Sequence, residues 1–340
     1  MTNQTTVDTT PKSIPSIVIL STASFLSLIG FTYLIWFVVT QEIPKRSKNE
    51  SSNIQSNNSR TVKKSTLKIL FSPFNISLGL MALSLVGYYA SSAARPYFEG
   101  FQFHVLNTMV GVFFSAIEST YVYYSWKRGM FVVKRVFKQL ATVLSYSIYV
   151  ITPIIHLQPV PNIILCVLEN RVSGLNLKLF AAIGNGLVAF AGVCVIGFDV
   201  LLLAAFIKYV RRADDEGLGL KADRKLTIIC QYGIAADVIS ITALLIYALY
   251  ALKGSEIAHI ISELEVGLIF ALLLAMKLRL FRQENTEEQN LQDRINAKSE
   301  KCCAVSKSEA ERTASVSATR EEEMRLASVR QSSVTNHNSK

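Results

Sequence analysis

Residues Leu177–Ile207 read LKLFAAIGNGLVAFAGVCVIGFDVLLLAAFI and carry only two charged side chains, Lys178 and Asp199. A helix needs about 20 largely apolar residues to cross a bilayer core of roughly 30 Å. Apolar residues lie on every side of the helix that this stretch would form, which is typical of a membrane span and not of a surface helix. The stretch therefore predicts a helix that crosses a membrane.

Six more stretches of the same kind occur along the chain. They are Ile14–Thr40, Leu67–Ser92, Phe101–Trp126, Leu140–Gln158, Leu226–Leu252 and Ile257–Phe281. Because the chain holds seven such segments, we predict an all-α, polytopic membrane protein. Its predicted parts are a short extracellular tail (residues 1–13), a seven-helix bundle (14–281) and a disordered cytoplasmic tail (282–340).

Basic residues lie mainly on one side of the predicted spans. Lys and Arg number 21 in the first, third and fifth connections and at the end of the last span, against five on the other side. Those five are Lys12, Arg95, Arg171, Lys178 and Lys253. Short loops rich in Lys and Arg stay cytoplasmic, and such loops also attract anionic membrane lipid. The split predicts an outer N-terminus and an inner C-terminus. We expect a multi-pass protein of the plasma membrane.

The segment after the last predicted span is polar, has no aromatic residue and cannot bury enough apolar surface to fold by itself. The adjacent Cys302 and Cys303 are either a palmitoylation site or a plain exposed pair. Asn3 begins an Asn-Gln-Thr glycosylation sequon on the predicted outer side. Three serines follow a basic residue by two or three positions, a spacing that basophilic kinases favour, and are predicted phosphorylation sites: Ser315, Ser328 and Ser333.

Carboxylates inside membrane spans are costly and are therefore candidates for function. At a helical rise of 1.5 Å per residue, Glu118 and Asp199 lie about 13 Å from the predicted inner face, and Asp237 and Glu265 about 18 Å. Because half of a bilayer core is about 15 Å, the four acids share one layer near the midplane. No Lys or Arg is expected at that depth. Glu263 is two residues from Glu265, about 200° around the helix, so the two cannot both point inward.

Several interpretations of this acidic layer remain open. The acids could be protonated because of desolvation and mutual repulsion, they could hold Na⁺ or H⁺, or they could pair with a cationic ligand. The structural alternative is that neutral acids make hydrogen bonds between helices. We predict ligand or cation binding by Glu118, Asp199, Asp237 and Glu265.

The sequence also excludes several classes of function. A net charge of +10 could suggest nucleic-acid binding, but the excess lies in the predicted inner loops, where topology and anionic lipid explain it. No hydrolase constellation, phosphate-binding loop or metal-ligand spacing occurs in the sequence. We therefore expect no nucleic-acid partner, no enzymatic activity, no cofactor and no metal.

Seven spans, an outer N-terminus, basic inner loops and a Ser-rich inner tail resemble the architecture of G-protein-coupled receptors. The resemblance covers Ile14 to Phe281 plus the tail, and it is one of topology. The motifs of the rhodopsin-like family are absent: Glu118-Ser-Thr-Tyr121 stands where that family has Asp/Glu-Arg-Tyr, and Phe270–Phe281 lacks Asn-Pro-x-x-Tyr. The resemblance implies a small-molecule site within the bundle and a heterotrimeric G protein as a partner of the inner loops and tail.

Two functions remain open. A receptor-like protein would bind a small molecule or cation among its helices and signal through its cytoplasmic loops and tail. A proton- or cation-coupled transporter or channel would also need acids near the midplane. The tail and the basic inner loops favour the receptor. Lys277, the only lysine of the last span, is expected to extend toward the membrane surface, which argues against a retinal protein.

Overall fold

The computed structural model describes residues 14–45, 71–168, 177–215 and 221–335. Within those ranges the chain contains eight α-helices. They are α1 (Ile14–Phe37), α2 (Pro73–Ala94), α3 (Gly100–Val136), α4 (Lys138–Leu157), α5 (Val160–Leu168), α6 (Leu177–Asp215), α7 (Lys221–Lys253) and α8 (Glu256–Thr335). A π-helical turn, Val38–Glu42, continues α1, and a 3₁₀ turn, Arg95–Tyr97, follows α2.

Among the described residues, seven helical segments are long and apolar enough to cross a membrane, which agrees with the predicted number of spans and with the all-α class. They are Ile14–Lys45, Pro73–Tyr97, Gly100–Met130, Ala141–Leu168, Leu179–Tyr209, Lys225–Lys253 and Glu256–Asn296. The fourth span is longer than predicted, because α5 continues it beyond the predicted end at Gln158 to Leu168. Large apolar side chains such as Phe25, Val150 and Leu245 are exposed, as expected of helices that face lipid. The orientation of the spans stays a prediction.

The spans pack into a unit that extends to Arg279. Helix α2 packs against α1 and α3, and α3 also packs against α4, α5 and α6. The first part of α8 lies beside α1 and α2: the hydroxyl of Tyr89 donates to the backbone oxygen of Glu263 at 2.9 Å. A Cβ atom at Gly30 would lie 3.1 Å from the ring of Phe270. Because it packs against α2, α4, α5 and α6, helix α3 is the central helix of this unit.

A polar cluster of Glu42, Asn75 and Lys277 joins spans one, two and seven at the end of the π-helical turn that continues α1. The ammonium group of Lys277 lies 3.0 Å from Glu42 Oε2, and it also donates to the side-chain oxygen of Asn75. The side chains of Lys277 and Glu42 are only 14% and 8% exposed. Single π-helical turns often occur at functional sites, and this one carries Glu42. The contacts with Glu42 and Asn75 fix the position of the Lys277 ammonium group among spans one, two and seven, and its depth relative to the membrane surface stays a prediction.

The second unit of the chain, Leu280–Lys340, is described by itself. Its backbone is helical as far as Thr335, including the positions of Cys302, Cys303, Ser315, Ser328 and Ser333. The side chains of those five residues lie outside the described part of the structure, as do Asn3 and the rest of residues 1–13. The predicted modifications and the prediction that the tail does not fold by itself stay predictions.

Candidate functional site

A cavity of about 400 Å³ lies among the spans. Its lining comes from α2, α3, α5, α6, α7, α8 and the break between α4 and α5, so six of the seven spans contribute. Along α3 the lining residues recur every three or four positions from Asn107 to Tyr121, which is one face of a helix and about 21 Å of its length. Pockets of this size hold small molecules.

A polar network lies at the end of the cavity that is predicted to face outward. Arg95 donates to Asn107 Oδ1 at 3.0 Å, and Asn107 Nδ2 donates to Asn162 Oδ1 at 3.0 Å. A second guanidinium nitrogen of Arg95 lies 3.3 Å from His259 Nε2. The ring of Tyr250 stacks on that imidazole, with 4.5 Å between the ring centroids. These contacts join spans two, three, four, six and seven around one guanidinium group.

The imidazole of His259 also lies near the buried carboxylate of Glu263. Glu263 is 2% exposed, accepts a hydrogen bond from the Ser92 hydroxyl at 3.1 Å, and lies 3.5 Å from His259 Nε2. The same imidazole nitrogen therefore faces a donor on Arg95 and an acceptor on Glu263. A neutral ring nitrogen without a proton can accept from Arg95, whereas a protonated one can donate to Glu263.

At the other end of the cavity, Glu118 meets the break in span four. Gln158 lies in the turn between α4 and α5, and its amide nitrogen donates to Glu118 Oε2. The turn forms because Pro159 has no backbone N–H to continue the helical ladder. Span three approaches this break closely: a Cβ atom at Gly111 would lie 3.3 Å from Pro159 Cα. Irregular backbone at membrane depth occurs where it is buried in protein or lines a cavity, and Gln158 does both.

Next to the cavity lies a buried cluster of charged groups. Asp199 and Asp237 are 3% and 5% exposed, and their carboxyl groups are neighbours. The hydroxyl of Tyr121, whose side chain lines the cavity, donates to Asp199 Oδ2. The guanidinium of Arg128 lies 3.8 Å from Asp199 Oδ1 and donates to the sulfur of Met276 at 3.5 Å. Neither carboxyl oxygen of Asp237 accepts a hydrogen bond from a fixed donor among the described residues, and the neighbouring Asp199 carboxyl group can bond to Asp237 only if one of the two acids carries a proton.

The expectation that no basic residue lies at the depth of the acids is wrong. Arg128 was counted in the third connection, but α3 continues to Val136, so this residue is still on the helix. Its long side chain places the guanidinium group beside Asp199. Two carboxyl groups and one guanidinium leave the cluster one positive charge short of neutrality when both acids are ionised.

The four predicted site residues are divided among three places. Asp199 and Asp237 lie together, and Glu118 lies separately at the cavity. Glu265 does not line the cavity, and its buried Oε2 atom has no hydrogen-bond partner among the described residues. Of the two acids that cannot both point inward, Glu263 is the one that takes part in the polar network. The sequence offered no way to choose between them, since both stand in the same apolar context.

Sequence reasoning missed several polar residues of the cavity. Arg95 was counted only for its charge, and Asn162, Gln158 and His259 were not assigned a role. Prolines at 159 and 161, so close to the end of a predicted span, were a signal that could have indicated the helix break and Gln158. In the part of the chain that the structure describes, no group of three or more His, Cys, Asp or Glu side chains could hold a metal ion.

Comparisons of this chain with protein-family models, with curated proteins and with solved structures give no match.

Proposed function

We propose that this protein is a seven-helix receptor that binds a small molecule in the cavity and signals through its cytoplasmic loops and tail, with a heterotrimeric G protein as partner. Seven membrane-crossing helices, a cavity among six of them and basic residues gathered in alternate connections support the proposal. The plasma membrane is the proposed location, because a receptor of this kind samples the outside of the cell.

The observation that carries the proposal is the position of Tyr121. Its ring lines the cavity while its hydroxyl binds Asp199 in the buried charged cluster. A ligand shifts a conformational equilibrium only by contacting its states differently. A ligand that moves the Tyr121 ring changes a hydrogen bond to Asp199, which in turn faces Arg128 on α3. The cavity and the charged cluster therefore share a residue through which occupancy can be transmitted.

Nucleotide exchange tests the receptor. The full-length chain, purified into lipid nanodiscs, is mixed with a panel of heterotrimeric G proteins, and release of labelled GDP is followed against empty nanodiscs. Faster release from at least one heterotrimer is the expected result, because receptors of this architecture have basal activity. Equal rates with and without the protein, for every heterotrimer in the panel, would contradict coupling to a G protein.

A cation-coupled carrier is the second candidate function. Two observations favour it: the buried oxygens of Asp237 have no fixed hydrogen-bond donor among the described residues and face a second acid, Asp199, and span four is interrupted at Gln158. Interrupted helices and midplane acids are features of coupled transporters. Proteoliposomes with an imposed Na⁺ or H⁺ gradient distinguish the two functions. Protein-dependent dissipation of either gradient supports the carrier, and an unchanged gradient counts against it.

A further inference from the structure

The end of the cavity at Glu118 presents hydrogen-bond acceptors. Glu118 is joined to Gln158 by a single hydrogen bond, from Gln158 Nε2 to Glu118 Oε2. Gln158 is 2% exposed, and its Oε1 atom is buried with no hydrogen-bond partner among the described residues. A buried carbonyl oxygen without a donor is costly, by about 1–3 kcal/mol. A donor supplied by a ligand would remove that cost.

The Glu118 carboxylate determines the orientation of the Gln158 amide. The two ends of a glutamine amide look alike in shape, so the hydrogen-bond network decides which one faces which partner. When Glu118 is ionised, as it is opposite a bound ammonium group, rotating the amide by half a turn would place its oxygen against the carboxylate, acceptor against acceptor. The NH₂ group therefore faces Glu118, and the oxygen remains the acceptor that needs a donor from elsewhere.

Aromatic rings stand on the same face of α3 as Glu118. Phe114 is four residues before it and Tyr121 three residues after it, which places all three side chains along one line of the helix. Both rings line the cavity, as does that of Tyr247. Among the described residues no Lys or Arg forms an ion pair with Glu118. A carboxylate flanked by aromatic rings and lacking a basic partner is a site suited to an ammonium group.

The opposite end of the cavity determines which way such a ligand would lie. Arg95 binds Asn107, which is 11 residues before Glu118 and therefore about 16 Å from it along α3. A guanidinium group repels a second cation, so an ammonium ion is directed toward Glu118. Between the two ends the wall is largely apolar, with side chains such as Val110 and Ile117.

We propose that the cavity binds an amphipathic amine, whose ammonium group donates to Glu118 and to Gln158 Oε1 and whose apolar body lies along α3 toward Arg95. This assignment rests on the proposed function, since it names the class of ligand for the same cavity. An alkylamine, like a lysine side chain, carries its positive charge at neutral pH. It supplies the donors that the Glu118 end lacks.

Thermal unfolding of the full-length protein in nanodiscs tests the ligand class with three probes of equal chain length. They are n-octylamine, 1-octanol and octanoate, each titrated over the same concentrations. A ligand that binds only the folded state raises the unfolding temperature by mass action. We expect n-octylamine to stabilise the wild-type protein at lower concentration than either of the other probes. Equal stabilisation by 1-octanol would show that the probes only fill apolar space, and this result would overturn the proposal. Stronger stabilisation by octanoate, or no stabilisation by any probe, would also overturn it.

Two variants then locate the ammonium group. Glu118→Gln should weaken the effect of n-octylamine by about tenfold or more, the loss expected for one charge-assisted hydrogen bond. Glu265→Gln is the matched control, because it removes the same charge within a span but away from the cavity, and it should keep the wild-type response. Retention of the response in Glu118→Gln would overturn the proposal. If that variant does not fold, Gln158→Met and the comparison of the three probes on the wild-type protein decide.

The two proposals fail separately. Selective stabilisation by n-octylamine without nucleotide exchange on any G protein would leave the ligand class standing and remove the receptor. Nucleotide exchange without selective stabilisation by n-octylamine would leave the receptor standing and remove the ligand class.

Discussion

The hydroxyl of Tyr121 donates a hydrogen bond to Asp199, and it does so from a ring that lines the cavity. Tyr121 is 5% exposed and Asp199 3% exposed, so both partners are removed from solvent. Asp199 in turn faces Arg128 at 3.8 Å. The hydrogen bond thus joins α3 to α6 beside the cavity, and Arg128 adds a second electrostatic contact between the same two helices.

Tyr121→Phe should separate ligand binding from its transmission. The phenylalanine keeps the aromatic wall of the cavity but cannot donate to Asp199, which leaves a buried carboxyl oxygen without this donor. We expect a loss of about 1–3 kcal/mol in the free energy of unfolding. Basal nucleotide exchange should change while the response to n-octylamine stays near wild type, as measured by GDP release and thermal unfolding.

Tyr123→Phe serves as the control for that variant. Tyr123 lies two residues further along α3, is 40% exposed, and has the Lys127 ammonium group over its ring at 5.3 Å. Removing its hydroxyl should leave unfolding and exchange unchanged. If Tyr121→Phe behaved like Tyr123→Phe in both measurements, the link between the cavity and the charged cluster would be disproved.

The ion pair between Glu42 and Lys277 should stabilise the protein, and a double-mutant cycle can measure it. Lys277→Met leaves the largely buried Glu42 carboxylate without this cation, which should cost on the order of 3 kcal/mol. The double variant Glu42→Gln/Lys277→Met should recover part of the loss, because an amide can still bind Asn75 and carries no charge. Free energies of unfolding in mixed micelles give the coupling. Strictly additive effects would show that the two charges do not interact.

The number and class of the spans could be predicted because they depend only on local composition. A helix that crosses a bilayer must be apolar over about 20 residues, and no tertiary contact is needed to see it. The fourth span shows the limit of this reasoning. The prediction ends the span at Gln158, whereas in the structure α5 continues it to Leu168. Proline interrupts a helix there, and proline also ends helices, so the sequence alone does not distinguish a break from an end.

The site could be predicted only in part, for a related reason. Depth along a helix follows from residue number, so Asp199 and Asp237 were correctly expected at similar levels, and the structure places them side by side. Direction around the helix does not follow in a span that is apolar on every side, and Glu265 was therefore chosen where Glu263 joins the polar network. The reach of the Arg128 side chain is likewise not visible from its position in the sequence.

Epitope tags at Met1 and Lys340 should be accessible from opposite faces of intact cells. Seven spans place the two termini on opposite sides, and the excess of Lys and Arg in alternate connections orients the N-terminus outward. Antibody labelling before and after permeabilisation provides the measurement. Labelling of both tags without permeabilisation would mean that the number of membrane crossings is even.

Truncation after Lys301 should leave insertion and thermal stability near wild type while altering signalling or turnover. The removed segment is polar and has no aromatic residue, so a core of its own is not expected. A polar helix that lacks tertiary packing is only marginally stable in water. Unfolding temperature and surface expression of the truncated and full-length proteins give the comparison. A large loss of thermal stability would show that the segment contributes to the folded structure.

The charged cluster beside the cavity gives the prediction that depends most directly on the structure. Asp199 and Asp237 are buried neighbours, Arg128 supplies one positive charge, and the Asp237 oxygens have no fixed hydrogen-bond donor among the described residues. A single added cation would complete the balance of charge. Since a cation that binds only the folded state stabilises it, raising Na⁺ at constant ionic strength should raise the unfolding temperature. If a proton occupies this position instead of Na⁺, acidification should raise the unfolding temperature and Na⁺ should leave it unchanged.

Asp237→Asn is the decisive variant for this cluster. Asparagine keeps an acceptor and adds a donor, so it can bind Asp199 directly, and with Arg128 the cluster becomes neutral without a bound cation. The variant should therefore fold with an unfolding temperature that no longer responds to Na⁺ or to mild acid. Glu265→Gln removes an acid elsewhere in the spans and should respond as wild type does. An unfolding temperature insensitive to both ions in the wild-type protein and in Asp237→Asn alike would rule out a cation at this position. The acids would then serve only to join α6 and α7 by a hydrogen bond from a protonated Asp237 to Asp199.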